Sequence, residues 1–242
     1  MSQSQVDHAA HAQPGDVRWQ GLYKIGAVAA LISVVIIPLS IVAFFIWPPF
    51  PDDILVIIQQ DKLAGLMGLD FMYLLGNVFA IPFFLALYVT LKEVNEGWAL
   101  IALTLGLLGL ICLVPSRPIP EMFVLSDQYA AAATEAERAT YLVAGESMLT
   151  HFHGMAYHAH YILGSASLLI SSFLMLRSDT FSKATAYVGV VTNVVVFGLY
   201  VPEVGTYISL LSVVGYLIWY ILIARRLFQL GWGVSQEMEG RP

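Results

Sequence analysis

Six apolar runs, each close to the roughly 20 residues that cross the hydrocarbon of a bilayer, constrain this chain more than any other feature. They run about Gly21–Trp47, Leu63–Leu91, Trp98–Val114, Thr150–Leu176, Lys183–Val201 and Thr206–Leu227. Composition agrees. With 58% hydrophobic and 12% charged side chains, the 242 residues carry about half the charge fraction of a soluble domain. So much apolar surface could not be hidden in one aqueous core. The expected fold is all-α, a polytopic integral membrane bundle of six transmembrane helices, with the lipid bilayer as its partner. Eleven Lys and Arg against 17 Asp and Glu exclude a nucleic-acid binder. The lone Cys112 excludes a disulfide scaffold.

The polar segments set the boundaries. Residues 1–17 are small, polar and aperiodic, and are expected to be a disordered tail. They have no basic stretch ahead of a short apolar one, so they do not read as a signal peptide. Residues 18–230 form the single membrane domain and residues 231–242 a short second tail. Pro38 and Pro82 are expected kinks. Pro48-Pro49 stops the first run, and Ile54–Gln60 reads as an interfacial segment. Pro115, Pro118 and Pro120 break the third run. Thr134-Glu135-Ala136-Glu137 is a capping box that opens the helix leading into the fourth.

Basic residues give the orientation. Arg18, Lys24, Lys92, Arg177, Lys183, Arg225, Arg226 and Arg241 flank one side, and Lys62, Arg117 and Arg138 the other. The positive-inside rule puts both termini in the cytoplasm of a multi-pass cell-membrane protein.

Several landmarks together are similar to a bacterial membrane family catalogued as domain of unknown function 4386. They are Leu85-Ala86-Leu87-Tyr88-x-x-Leu91-Lys92-x-Val94-Asn95, the opening Gly21-Leu22-Tyr23, Tyr200-Val201-Pro202, and the ending Trp219 to Arg226-Leu227-Phe228. The resemblance spans about residues 18–230. It implies a six-span bundle and brings no catalytic residue with it.

The fourth run opens with His151, His153, His158 and His160 inside ten residues. On one continuous helix, Glu146, Thr150, His153, Tyr157 and His160 would share a face, and His151 and His158 would lie on another. One metal ion cannot be chelated at spacings of two and seven on a straight helix, so a transition metal would need ligands from other helices. Histidine facing lipid is costly, which makes this span central or buried in a homo-oligomer. Asp70, expected about two turns inside the second span, lies at a depth similar to His158 and His160. The candidate ligand-binding residues are therefore Asp70, Asn77, His153, Tyr157, His158, His160 and Glu203. His158, His160 and Asp70 are the candidate metal ligands, and a hydrogen bond from Asp70 to His158 or His160 is expected.

Three functions stay open. An outward-facing His/Asp pocket could bind or transport a small ligand, a proton or a metal ion. The same groups could serve an intramembrane metal-dependent hydrolase. Alternatively the chain is structural or regulatory, with its polar groups used only for helix packing.

Overall fold

The computed structural model describes residues 17–49 and 51–232. Both tail segments of the sequence reading lie outside these, apart from Val17, Gly231 and Trp232. The described chain is all-helical: α1 (Gln20–Ile46), α2 (Ile54–Gln60), α3 (Lys62–Gly68), α4 (Phe71–Leu91), α5 (Glu96–Leu113), α6 (Ile119–Ala131), α7 (Glu135–Leu149), α8 (Met155–Arg177), α9 (Lys183–Val196) and α10 (Gly205–Trp232). Six stretches are long and apolar enough to cross a membrane, and they contain α1, α4, α5, α8, α9 and α10. Of the others, α6 and α7 belong to the third and fourth of these stretches, and α2 and α3 are seven residues each.

Local chemistry places the ends. Asp61 caps α3 by accepting from the N–H groups of Leu63 and Ala64. Thr134 and Glu137 complete a reciprocal capping box on α7. Ser182 caps α9 by accepting from Thr185 N–H. Proline near the start of α6 costs nothing, because the first N–H groups of a helix have no partner within it.

Two expectations are corrected. The second apolar run is not one helix. It breaks after α3, where Asp70 takes a positive φ of 61°, so Asp70 stands one residue ahead of α4 and not two turns inside a span. The fourth run is broken as well. Thr150–His153 form a 3₁₀ turn, Gly154 is extended, and α8 begins only at Met155. The shared histidine face assumed one helix, so it does not exist. His151 and His153 lie exposed on the turn, whereas His158 and His160 lie on α8.

The chain gathers into two compact units, and α1, α4, α5 and α8 are each divided between them. The first takes residues 17–34, 80–106 and 165–232. Its buried core includes Ala27, Phe83, Leu87, Trp219 and Leu227. Gly26 lets α1 approach α4, since a Cβ there would lie 2.3 Å from Ala86 Cβ. Ser167 donates to the Ala102 carbonyl, tying α8 to α5, and Tyr216 donates to Asn193, tying α10 to α9.

The second unit takes residues 35–79 and 107–164. Its short helices α2, α3, α6 and α7 pack around Ile54, Leu55, Ile58, Leu69, Ile119, Met122 and Phe152. Ser126 joins α6 to α2 by donating to the Leu55 carbonyl while accepting from Gln59. These short helices therefore own a hydrophobic core. They are not frayed ends of the spans.

Candidate functional site

Three chain breaks of the second unit meet at one ion pair, whose Arg117 is buried and whose Asp70 side chain is 28% exposed. Arg117 lies in the break between α5 and α6, Asp70 in the break between α3 and α4, and Phe152 in the turn between α7 and α8. Arg117 is 4% exposed. Its Nε and Nη2 donate to Asp70 Oδ2 at 3.2 and 2.9 Å. Its Nη1 donates to the Ser116 carbonyl, to Ser116 Oγ and to the Phe152 carbonyl at 3.0–3.2 Å.

Aromatic rings enclose the same cation. The guanidinium carbon lies 5.1 Å from the ring centre of Phe152, 5.3 Å from Tyr157 and 5.6 Å from Tyr73. All three are within the roughly 6 Å reach of a cation–π contact. Such an arrangement offsets the large cost of taking a charge out of water: opposite charge on one edge, carbonyls on another, π faces around. At Asp70, burial lifts the carboxyl above the usual carboxylate range, and the charge and hydrogen bonding of Arg117 offset that lift only in part.

Tyr73 extends the network to α8. Its hydroxyl lies 2.8 Å from His160 Nε2, and His160 Nδ1 lies 2.9 Å from the Gly109 carbonyl. A carbonyl can only accept, so Nδ1 carries the proton. Nε2 of the neutral ring then accepts from Tyr73. Gly109 makes this approach feasible: a Cβ there would lie 3.1 Å from Gly164 N and 3.2 Å from the His160 carbonyl oxygen.

The structure places the sequence candidates as follows. Asp70 is paired with Arg117 and His160 with Tyr73 and Gly109, so the expected Asp70–histidine hydrogen bond is replaced by a chain running Asp70, Arg117, Tyr73, His160. Tyr157 packs on Arg117, and the rings of His153 and His158 lie edge-on to Tyr157 at 5.9 and 5.6 Å. Asn77 donates to the Tyr73 carbonyl one turn back along α4. Glu203 belongs to the first unit and stands exposed at φ 68° in the turn before α10. Among the described residues no three of His, Cys, Asp and Glu gather as a metal-holding group, and His158, His160 and Asp70 form none.

Arg117 and Tyr73 were missed in the sequence, yet a signal was there. Asp70 is the one charged residue between Lys62 and Lys92, and Arg117 the one between Glu96 and Glu121. Two lone opposite charges beside long apolar runs call for each other.

The sequence profile described as Domain of unknown function (DUF4386) matches residues 21–234. No curated protein and no solved structure matches the chain.

Proposed function

The chain belongs to the DUF4386 family, whose description names no activity, and on that footing we propose that it binds or transports a small polar solute at the Asp70–Arg117 centre. The observation that carries this reading is the meeting of three interrupted helices at one partly buried ion pair. Continuous helices satisfy their own backbone in lipid. Interrupted ones leave N–H and C=O groups free, and are tolerated only where protein or a cavity takes those groups up. Transport proteins put discontinuous helices at their binding sites for this reason. The proposed centre comprises Asp70 and Arg117 as charged anchors, with Tyr73, Tyr157 and His160 as adjacent polar rings. His153, His158 and Asn77 border it. Both termini face the cytoplasm in this reading, and the connections carrying Asp52, Asp53, Glu135 and Glu137 face outward.

A specific observation favours a second reading. Every nitrogen of Arg117 already has a partner within the chain, as expected of a structural keystone. The two readings separate in one experiment on the purified protein in detergent. Small anionic, zwitterionic and cationic solutes are added in turn while thermal unfolding is followed. In the binding reading a solute of one class raises the midpoint, and His160→Gln, whose own lowering of the unliganded midpoint is measured separately, abolishes that rise. If no solute class moves the midpoint of the wild-type protein, the keystone reading stands and the binding reading falls.

A further inference from the structure

The first unit holds a groove of about 520 Å³ between α1 and α10, distant in sequence from the Asp70–Arg117 centre. That volume falls within the roughly 300–1,000 Å³ of small-ligand sites. Leu31, Ile221, Phe228 and Trp232 line it, and Arg225 and Gln229 contribute their aliphatic stems to an apolar wall. An apolar groove alone does not name its occupant. Its two adjacent cations do: Arg225 lines it, and Lys24 lies over its lining residue Trp232.

Lys24, Lys92, Arg177, Lys183, Arg225 and Arg226 all belong to this unit, and none forms an ion pair with a described carboxylate. Arg225 is exposed and makes no hydrogen bond with any described residue. Lys24 lies over the ring of Trp232, 4.6 Å from its centre, and Lys92 lies 5.1 Å from that of Trp19. Cations paired with tryptophan rings mark the level of the lipid headgroups. Length agrees with that placement. The 28 residues of α10 span about 42 Å, longer than the hydrocarbon by about 12 Å. The excess is most readily placed at the Arg225-Arg226 end, since the Gly205 end carries no cation.

We propose that this groove holds one acyl chain of an anionic phospholipid, with the lipid phosphate on Arg225. The apolar wall takes the chain, and Arg225 supplies a counter-charge that no described side chain satisfies. A zwitterionic lipid fits the same wall but brings its own cation beside Arg225. The expected selectivity is therefore for net negative headgroups, roughly fivefold for one such contact.

Tryptophan quenching tests this in the full-length protein reconstituted into phosphatidylcholine nanodiscs. A small, equal fraction of brominated phosphatidylglycerol or brominated phosphatidylcholine is included, and Trp232→Phe identifies the emission that comes from Trp232. The anionic lipid should quench that emission at several-fold lower content than the zwitterionic one. Arg225→Gln, an exposed substitution that leaves packing intact, should remove the difference. Leu31→Phe, which fills the groove, should reduce quenching by both lipids. Inorganic phosphate in the buffer should leave the difference in place, because it has no chain for the groove. Equal quenching by the two lipids in the wild-type protein would overturn the proposal. So would a preference that survives Arg225→Gln, or one that inorganic phosphate removes.

Discussion

Asp70 holds a left-handed backbone that few L residues adopt, and aspartate and asparagine are among those that tolerate it. That fact shapes what substitution should do. Asp70→Asn keeps the backbone and an acceptor for Arg117 but leaves a buried cation without its counter-charge. A loss of about 3 kcal/mol is expected, the low end for breaking a buried pair. Asp70→Leu removes the acceptor too and forces a branched side chain to positive φ, adding about 1–2 kcal/mol. Denaturant unfolding in detergent gives both values, and the order Leu worse than Asn is the decisive part. Tyr73→Phe removes only the donor to His160 and should cost about 1 kcal/mol, typical of one hydrogen bond between membrane helices. A Tyr73→Phe loss as large as that of Asp70→Asn would mean that the phenol, and not the carboxylate, holds the three breaks together.

At the level of elements, the short helices separate what the sequence showed from what it hid. The run lengths, the proline stops, the bounds of the separate segment Ile54–Gln60 and the capping box at Thr134 were legible, because each depends on neighbours within one turn. The breaks at Leu69-Asp70 and at Thr150–Gly154 were not, since hydropathy stays high or ambiguous across both and only tertiary packing repays an interrupted backbone. The candidate residues suffered accordingly. Asp70, Tyr157 and His160 meet through Arg117, which the sequence offers only as a flanking cation, and through Tyr73, which nothing in the sequence sets apart. Two element-scale outcomes follow. Gly109→Ala places a methyl within 3.1–3.2 Å of α8 backbone, which cannot rotate away, so α5 and α8 must separate and the His160–Gly109 bond must lengthen. A loss of about 1–3 kcal/mol is expected, with faster hydrogen exchange in both helices. Thr134→Ala removes half of an exposed capping box and should cost about 1 kcal/mol. Its faster exchange should stay within the first turn of α7.

For the molecule as a whole, charge sorts by unit. Seven of the ten described Lys and Arg residues lie in the first unit: Arg18, Lys24, Lys92, Arg177, Lys183, Arg225 and Arg226. The second unit holds Lys62, Arg117 and Arg138, and of these Arg117 is committed to Asp70. It also carries Asp52, Asp53, Asp61, Glu121, Asp127, Glu135, Glu137 and Glu146. Basic residues near span ends resist translocation, while acidic ones contribute little to orientation, so the first unit's α4–α5 and α8–α9 connections should be the ones retained in the cytoplasm. Six crossings would return the chain to the side on which it began, so both termini are expected there as well. Single cysteines at positions 52, 135 and 179, in a Cys112→Ala background, test this in intact cells with a membrane-impermeant maleimide. Positions 52 and 135 should label directly. Position 179, in the α8–α9 connection, should label only after the cells are permeabilised. Direct labelling at 179 with protection at 135 would invert the molecule, turning the second unit and its Asp70–Arg117 centre toward the cytoplasm. Any solute it binds would then have to be sought inside the cell.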